Sequence, residues 1–181
     1  MCDHGYLEII LGPMFSGKTS ELIKIYNKNS DNTVAINYLG DQRYDDKKLS
    51  THDKQMIDCI QATKLNDINQ YPEIINKNII LINEGQFFPD LTEFVIDMVE
   101  NKYKTVYVCG LDADFQKNKF GNILDLIPIC DKVRKLQGKC SECYYSNSIF
   151  SHRITQENNQ IVIGSDNYKP LCRKCYNKLN K

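Results

Sequence analysis

With 181 residues, the chain has room for one α/β domain of ordinary size and a compact appendage, but not for two full domains. Its 23 lysines and arginines balance 23 aspartates and glutamates, so it lacks the basic excess that draws a protein to a polyanion, and nucleic acid is a poor candidate partner. No apolar run reaches the roughly eighteen residues needed to cross a bilayer, and Met1 to Glu8 lacks the charged-then-apolar order of a secretory signal; a cytoplasmic protein with no membrane partner is expected.

The first element is an apolar, strand-like run, Tyr6 to Leu11. Directly after it comes Gly12-Pro13-Met14-Phe15-Ser16-Gly17-Lys18-Thr19, a complete G-x-x-x-x-G-K-T phosphate loop. Its glycines allow a tight turn in which successive amide N–H groups converge on phosphate oxygens at the start of a helix, whose dipole also favours negative charge. The helix is expected over Lys18 to Asn29, with Leu22, Ile25 and Tyr26 at helical spacing. A nucleoside triphosphate is therefore expected here, with Lys18 on its β- and γ-phosphates and the Thr19 hydroxyl on a magnesium ion. The loop alone does not separate a kinase from a hydrolase, switch or motor.

Further apolar, β-rich runs follow at Thr33 to Tyr38, Asn78 to Ile82 and Thr105 to Cys109, and a further strand is expected near Lys132 to Leu136. Near-continuous apolar strands separated by amphipathic or polar stretches predict a parallel sheet covered by helices on both faces. Ligands of such sheets collect beyond the carboxyl ends of the strands. Polar or glycine-bearing segments follow those ends: the phosphate loop, Asp41 to Tyr44, Asn83 to Phe88 and Gly110 to Gln116. Glu84 lies where a carboxylate could deprotonate an attacking hydroxyl, although a solvated turn glutamate would read the same. Asn83 stands where phosphate-loop enzymes usually carry an aspartate that helps to hold magnesium, so either metal affinity is reduced or another acid such as Asp41 shares the task. Arg43 suits a transferring phosphoryl group and equally a surface ion pair. Of Phe87, Phe88, Phe115 and Phe120, some must be core; Phe115 and Phe87 are the choices for stacking a nucleobase.

From about Gly138 the pattern changes to paired cysteines, tyrosines and short polar turns. The chain divides into a nucleotide-binding α/β domain, 1–138, and a small module, 139–181. Eight cysteines with no export signal read as reduced thiols or metal ligands. Cys140-x-x-Cys143 and Cys172-x-x-Cys175, with 28 residues between the pairs, predict four thiolates around one tetrahedral zinc. With all four positions filled by sulfur the metal cannot activate water, so its role would be structural, a clip that closes the intervening loop. A nucleic-acid-binding ribbon would need a basic face, whereas His152, Arg153 and Lys169 are set beside Glu157 and Asp166.

Taken together, the segments Ile10 to Thr19, Asp41-x-Arg43-Tyr44, Thr51-His52-Asp53, Glu84 to Asp90, Leu111-Asp112, Phe115-Gln116, Phe120-Gly121, Ile163-Gly164, Tyr168, Cys172-Arg173 and both cysteine pairs resemble the type II thymidine kinases of cells and large DNA viruses over nearly the whole length. The resemblance implies a RecA-like phosphate-loop sheet carrying a zinc-bound lasso, and transfer of the γ-phosphate of ATP to the 5′-hydroxyl of thymidine or deoxyuridine. It implies Glu84 as general base, Lys18 and Thr19 as phosphate and magnesium contacts, and Arg43 as the phosphate-side arginine. It also implies a nucleoside site formed by Met14, Asp41, Phe87, Leu111, Phe115, Phe120, Ile163 and Tyr168, with Tyr168 in the lasso that covers the base. A homotetramer and feedback inhibition by thymidine triphosphate (dTTP) are further implications. The chain departs from the family pattern at Asn83, Asp114 and Lys119, and its lasso is one residue short. The rival reading is an ATP-binding zinc protein with a regulatory or nucleic-acid-contacting role and no kinase activity.

Overall fold

The computed structural model describes residues 4–40, 48–50, 56–162 and 164–180. The strands are β1 (Tyr6–Leu11), β2 (Thr33–Tyr38), β3 (Lys48–Ser50), β4 (Met56–Asp58), β5 (Ile60–Ala62), β6 (Ile79–Ile82), β7 (Thr105–Gly110), β8 (Lys132–Lys135), β9 (Gly138–Lys139), β10 (Asn147–Ser148), β11 (Phe150–Arg153) and β12 (Tyr168–Leu171). The α-helices are α1 (Lys18–Lys28), α2 (Pro72–Asn76), α3 (Leu91–Ile96), which continues into a π-helical turn over Asp97–Asn101, and α4 (Arg173–Leu179). Among the described residues no helix is long and apolar enough to cross a membrane.

Six strands form one sheet in the order β5-β2-β6-β7-β1-β8, every neighbour parallel. The two-residue period of a strand sorts its side chains onto the two faces. Leu7, Ile9 and Leu11 of β1, Val34 and Ile36 of β2, Ile80 and Ile82 of β6, and Val106 and Val108 of β7 join Leu91, Phe94 and Val95 of α3 in one core. The residues between them, Ile10, Ala35, Leu81 and Cys109, join Leu22 and Ile23 of α1 and Leu49 and Ile57 of β3 and β4 in a second. Burial on both faces explains why these strands are near-continuous apolar runs. The edge strand β5 escapes that signal because only three residues pair, and only Ala62 of them is fully buried.

Glu8, inside β1 and only 4% exposed, points to the α1 face and pairs with Arg134 of β8; Arg134 also donates to Glu21 of α1 at 2.9 Å. Hydrogen bonds from Lys24 and then Arg134 hold Glu21 below the usual carboxylate range. That contribution to stability is present above the unfolded pKa of about 4.3 and is lost as pH falls through the lower folded value.

Register places the functional edge. Leu11 at the end of β1 lies opposite Gly110 on one side and Lys135 on the other, so the segments that leave β1, β7 and β8 emerge side by side. The hairpins β9–β10 and β11–β12, with α4, make up the carboxyl-terminal module. A Cβ on Gly138 would stand 2.9 Å from the Phe15 carbonyl oxygen and from Ser148 Oγ; the module's first strand thus runs hard against the phosphate loop.

Candidate active site

Residues Gly12 to Gly17 turn from β1 into α1. Gly12 has φ 155°, and a Cβ there would lie 2.6 Å from Ser16 Oγ and 2.8 Å from the Leu136 carbonyl oxygen, so the loop can close only with glycine. Pro13 turns its carbonyl inward, where it accepts from Ser16 Oγ and from Lys18 Nζ, each at 2.8 Å. Lys18 is buried at the helix start, its ammonium lying back across the loop. The first N–H groups of a helix have no acceptor within it, which leaves α1 with donors and a positive dipole end facing this turn.

Thr19 meets the end of β6. Its hydroxyl donates to Asn83 Oδ1 at 3.4 Å, and that oxygen also accepts from Cys109 Sγ at 3.0 Å. Asn83 Nδ2 donates to Asn37 Oδ1 at 2.8 Å, which fixes the amide with its oxygen toward Thr19. Burial, and after it the charge of Glu84, pushes the Cys109 thiol up to about 12, so it stays protonated and serves as a donor. A hydroxyl and an amide oxygen at this spacing are hard, neutral ligands of the type magnesium accepts, and an ion here would rely mainly on phosphate and water oxygens.

Glu84 follows with φ 55° and ψ 42°, a left-handed conformation that costs a non-glycine residue about 1–3 kcal/mol and is concentrated at functional sites. Its carboxylate, 9% exposed, accepts from Gln86 Nε2 at 2.7 Å. The other end of the Gln86 amide accepts from the Leu111 N–H at 3.0 Å. The buried Gln86 therefore ties the carboxylate to the connection that leaves β7. The sequence reading did not single out Gln86, because its partner is 25 residues away.

The aromatic residues divide into two groups. Phe87 stacks on Tyr38 with ring centroids 5.0 Å apart and meets Phe120 edge-on at 5.4 Å, while Phe88 is core. Phe115 instead lies under the guanidinium of Arg153, 3.8 Å from its ring centroid.

The carboxyl-terminal module docks on this same connection. Tyr176 of α4 donates to the Phe115 carbonyl, the Lys117 ammonium sits 4.9 Å from the Tyr176 ring centroid, and the Met14 N–H of the phosphate loop donates to Ser151 Oγ at 2.9 Å. Burial, with Asp114 adding to it, raises the Tyr176 phenol and keeps it a neutral donor. Arg153 at the end of β11, one of the few cations between the cysteine pairs, is 5% exposed. Its guanidinium turns into the β11–β12 loop and donates to the carbonyls of Glu157, Asn159 and Gln160 and to the Tyr168 hydroxyl, which in turn donates to the Val162 carbonyl.

The Sγ atoms of Cys140, Cys143, Cys172 and Cys175 all lie within 4.8 Å of one another, and Cys143 and Cys172 are 3.9 Å apart. Four sulfurs bonded at about 2.3 Å to a tetrahedral centre are about 3.8 Å apart, so this donor set fits zinc. Of the sequence-predicted residues, Met14, Lys18, Thr19, Glu84, Leu111, Phe115 and Tyr168 are thus linked along one edge, with Phe87 and Phe120 in the adjoining aromatic group. Asp41, Arg43 and Ile163 lie outside the described residues.

The family model described as thymidine kinase matches residues 5–176. The thymidine kinase of Sheeppox virus (strain KS-1) is 42% identical over 178 residues, covering 96% of this chain and 98% of that protein. That of Yaba monkey tumor virus (strain VR587) is 44% identical over 180 residues and 97% of each chain; that of Vaccinia virus (strain Western Reserve) is 43% identical over 176 residues, 95% of this chain and 97% of its own. A match of that extent, on a sheet whose carboxyl edge gathers a phosphate loop, a held carboxylate and a four-thiolate module, establishes that the chain belongs to the thymidine kinase family.

Proposed function

We propose that the chain transfers the γ-phosphate of ATP to the 5′-hydroxyl of thymidine, and of deoxyuridine, giving the nucleoside monophosphate. The observation that carries the reading is the position of Glu84: its backbone follows Asn83, which touches the phosphate loop at Thr19, and its carboxylate is tied through Gln86 to the Leu111 segment on which the zinc module docks. A base so placed stands between a triphosphate and a nucleoside.

In this reading the amides of Gly12 to Thr19 and the Lys18 ammonium hold the phosphates, Arg43 stabilises the group in transfer, and Glu84 takes the proton of the 5′-hydroxyl. Met14, Asp41, Phe87, Leu111, Phe115, Phe120, Ile163 and Tyr168 form the nucleoside site. Thr19, with Asn83, would hold magnesium, which when bound neutralises charge on the β- and γ-oxygens. Zinc on the four cysteines would keep both ends of the β11–β12 loop together, lowering the ordering cost of covering the nucleoside, and the cover would exclude water. Residues 1–138 and 139–181 act as the two units of each chain, and four chains form a cytoplasmic homotetramer that dTTP inhibits.

Radiolabelled thymidine incubated with ATP is expected to yield labelled monophosphate only when magnesium is present. Protein that binds ATP but phosphorylates no pyrimidine nucleoside would defeat the proposal in favour of a regulatory role.

The neutral Asn83 makes a further result expected. Asn83→Asp restores a carboxylate, and Asn37 can turn its amide to donate to it, so the fold is kept. The magnesium concentration giving half-maximal rate should fall by about three- to tenfold, since affinity for a hard cation rises with ligand charge. An unchanged magnesium requirement would mean that residue 83 has no part in holding the ion.

A further inference from the structure

We propose that Gln160 and Asp114 form a latch that holds the β11–β12 loop onto the β7 connection, and that Arg153 positions it, so that this contact sets the affinity for nucleoside. The inference rests on the reading that this loop covers the nucleoside.

The surroundings of Asp114 carry the inference. The residue is 6% exposed. Its Oδ1 accepts from the N–H groups of Gln116 and Asn118, both at 2.9 Å, closing the turn that presents Phe115. Its Oδ2 accepts from Gln160 Nε2 at 2.9 Å. The same Gln160 amide also reaches the Lys119 carbonyl at 3.4 Å. Arg153 acts on the other side of the contact, donating to the carbonyl of Gln160 at 3.0 Å while its guanidinium covers Phe115, the residue next to Asp114. The loop is therefore joined to the β7 connection at two adjacent points, one through the Gln160 side chain and one through the Arg153 plane.

The chemistry favours closure. A carboxylate already held by two backbone donors is prepared to accept a third without reorganising. A hydrogen bond to a charged group contributes more than one between neutral groups. Ordering a loop in advance of ligand removes that cost from binding.

Gln160 lies at the surface, so its replacement leaves the core intact. Gln160→Ala is expected to raise the thymidine KM about five- to tenfold with the ATP KM unchanged. Gln160→Glu sets two carboxylates against each other and should raise it further. Adding Asp114→Asn to Gln160→Glu exchanges donor and acceptor while keeping the turn's Oδ1, and should restore most of the affinity. Zinc content should be the same in all variants. Amides of residues 154–162 should exchange hydrogen faster in Gln160→Glu than in the parent, without nucleoside present. The latch is refuted if Gln160→Glu leaves both the exchange and the thymidine KM within twofold of the parent. It is equally refuted if the ATP KM rises in parallel, or if Asp114→Asn fails to rescue. If the exchange difference between Gln160→Glu and the parent is seen but the parent does not phosphorylate thymidine, the functional reading is overturned and the loop contact stands.

Discussion

Glu84→Gln is expected to lower kcat by about 10²–10⁴, the usual contribution of a positioned base, while ATP binding stays within about twofold. The substitution keeps size and shape, and the amide can still meet Gln86, so the left-handed turn at residue 84 and the Leu111 contact survive. What is removed is a group able to take a proton from the 5′-hydroxyl. Turnover with saturating thymidine, set beside equilibrium binding of a fluorescent ATP analogue, separates the two effects. Loss of nucleotide binding with little change in turnover per bound nucleotide would place Glu84 in the phosphate site and deny it the role of base.

Metal loss should be about as damaging by a different route. Cys140, Cys172 and Cys175 are buried, and with Leu171 and Tyr176 they make up the module's own small core, so a zinc bound on the proposed ligands and the packing would stand or fall together. The binding free energy of a structural zinc is largely folding free energy for such a unit. Cys172→Ser should therefore release zinc and unfasten both the β11–β12 loop and the Tyr176 contact to Phe115. Since misplacing a reacting group by about 1 Å can cost about 10²-fold, kcat/KM for thymidine is expected to fall at least that far. Nucleotide binding should persist, because the phosphate loop and α1 belong to the sheet domain. Metal analysis by atomic absorption, thymidine kinetics and nucleotide binding on one preparation test this; zinc-free protein with parental kinetics would rule out the module as a substrate cover.

The local signals were strong because each is enforced locally. A phosphate loop needs its glycines, lysine and threonine in consecutive positions, and zinc ligands on a knuckle need two intervening residues, so Gly12 to Thr19 and the four cysteines were legible from spacing alone. The four central strands, β1, β2, β6 and β7, were legible because a parallel strand buried on both faces must be apolar throughout. β5, at the sheet edge with a single fully buried residue, carries no such mark, and the β11–β12 hairpin is too short and polar to announce itself.

The site's internal connections are of another kind. Gln86 to Leu111, Asp114 to Gln160, Arg153 to Phe115 and Asn83 to Asn37 join residues 25 to 46 positions apart, or two units of the chain, and each partner is an ordinary polar or aromatic residue with no pattern of its own. The same distance in sequence explains Arg153, which reads as surface charge beside His152 until β11 and β12 pair and turn it into the loop. Phe115 and Phe87, alike in sequence, were separated by the packing of Tyr38 and Arg153 around them. The sequence by itself therefore determined the family and the sheet, and it carries the phosphate-loop and cysteine-pair motifs, whose chemistry is written in short spacings. Only the tertiary structure decided how the carboxylate is held and how the loop is fastened, because those contacts exist only once the strand order β5-β2-β6-β7-β1-β8 has brought distant segments to one edge.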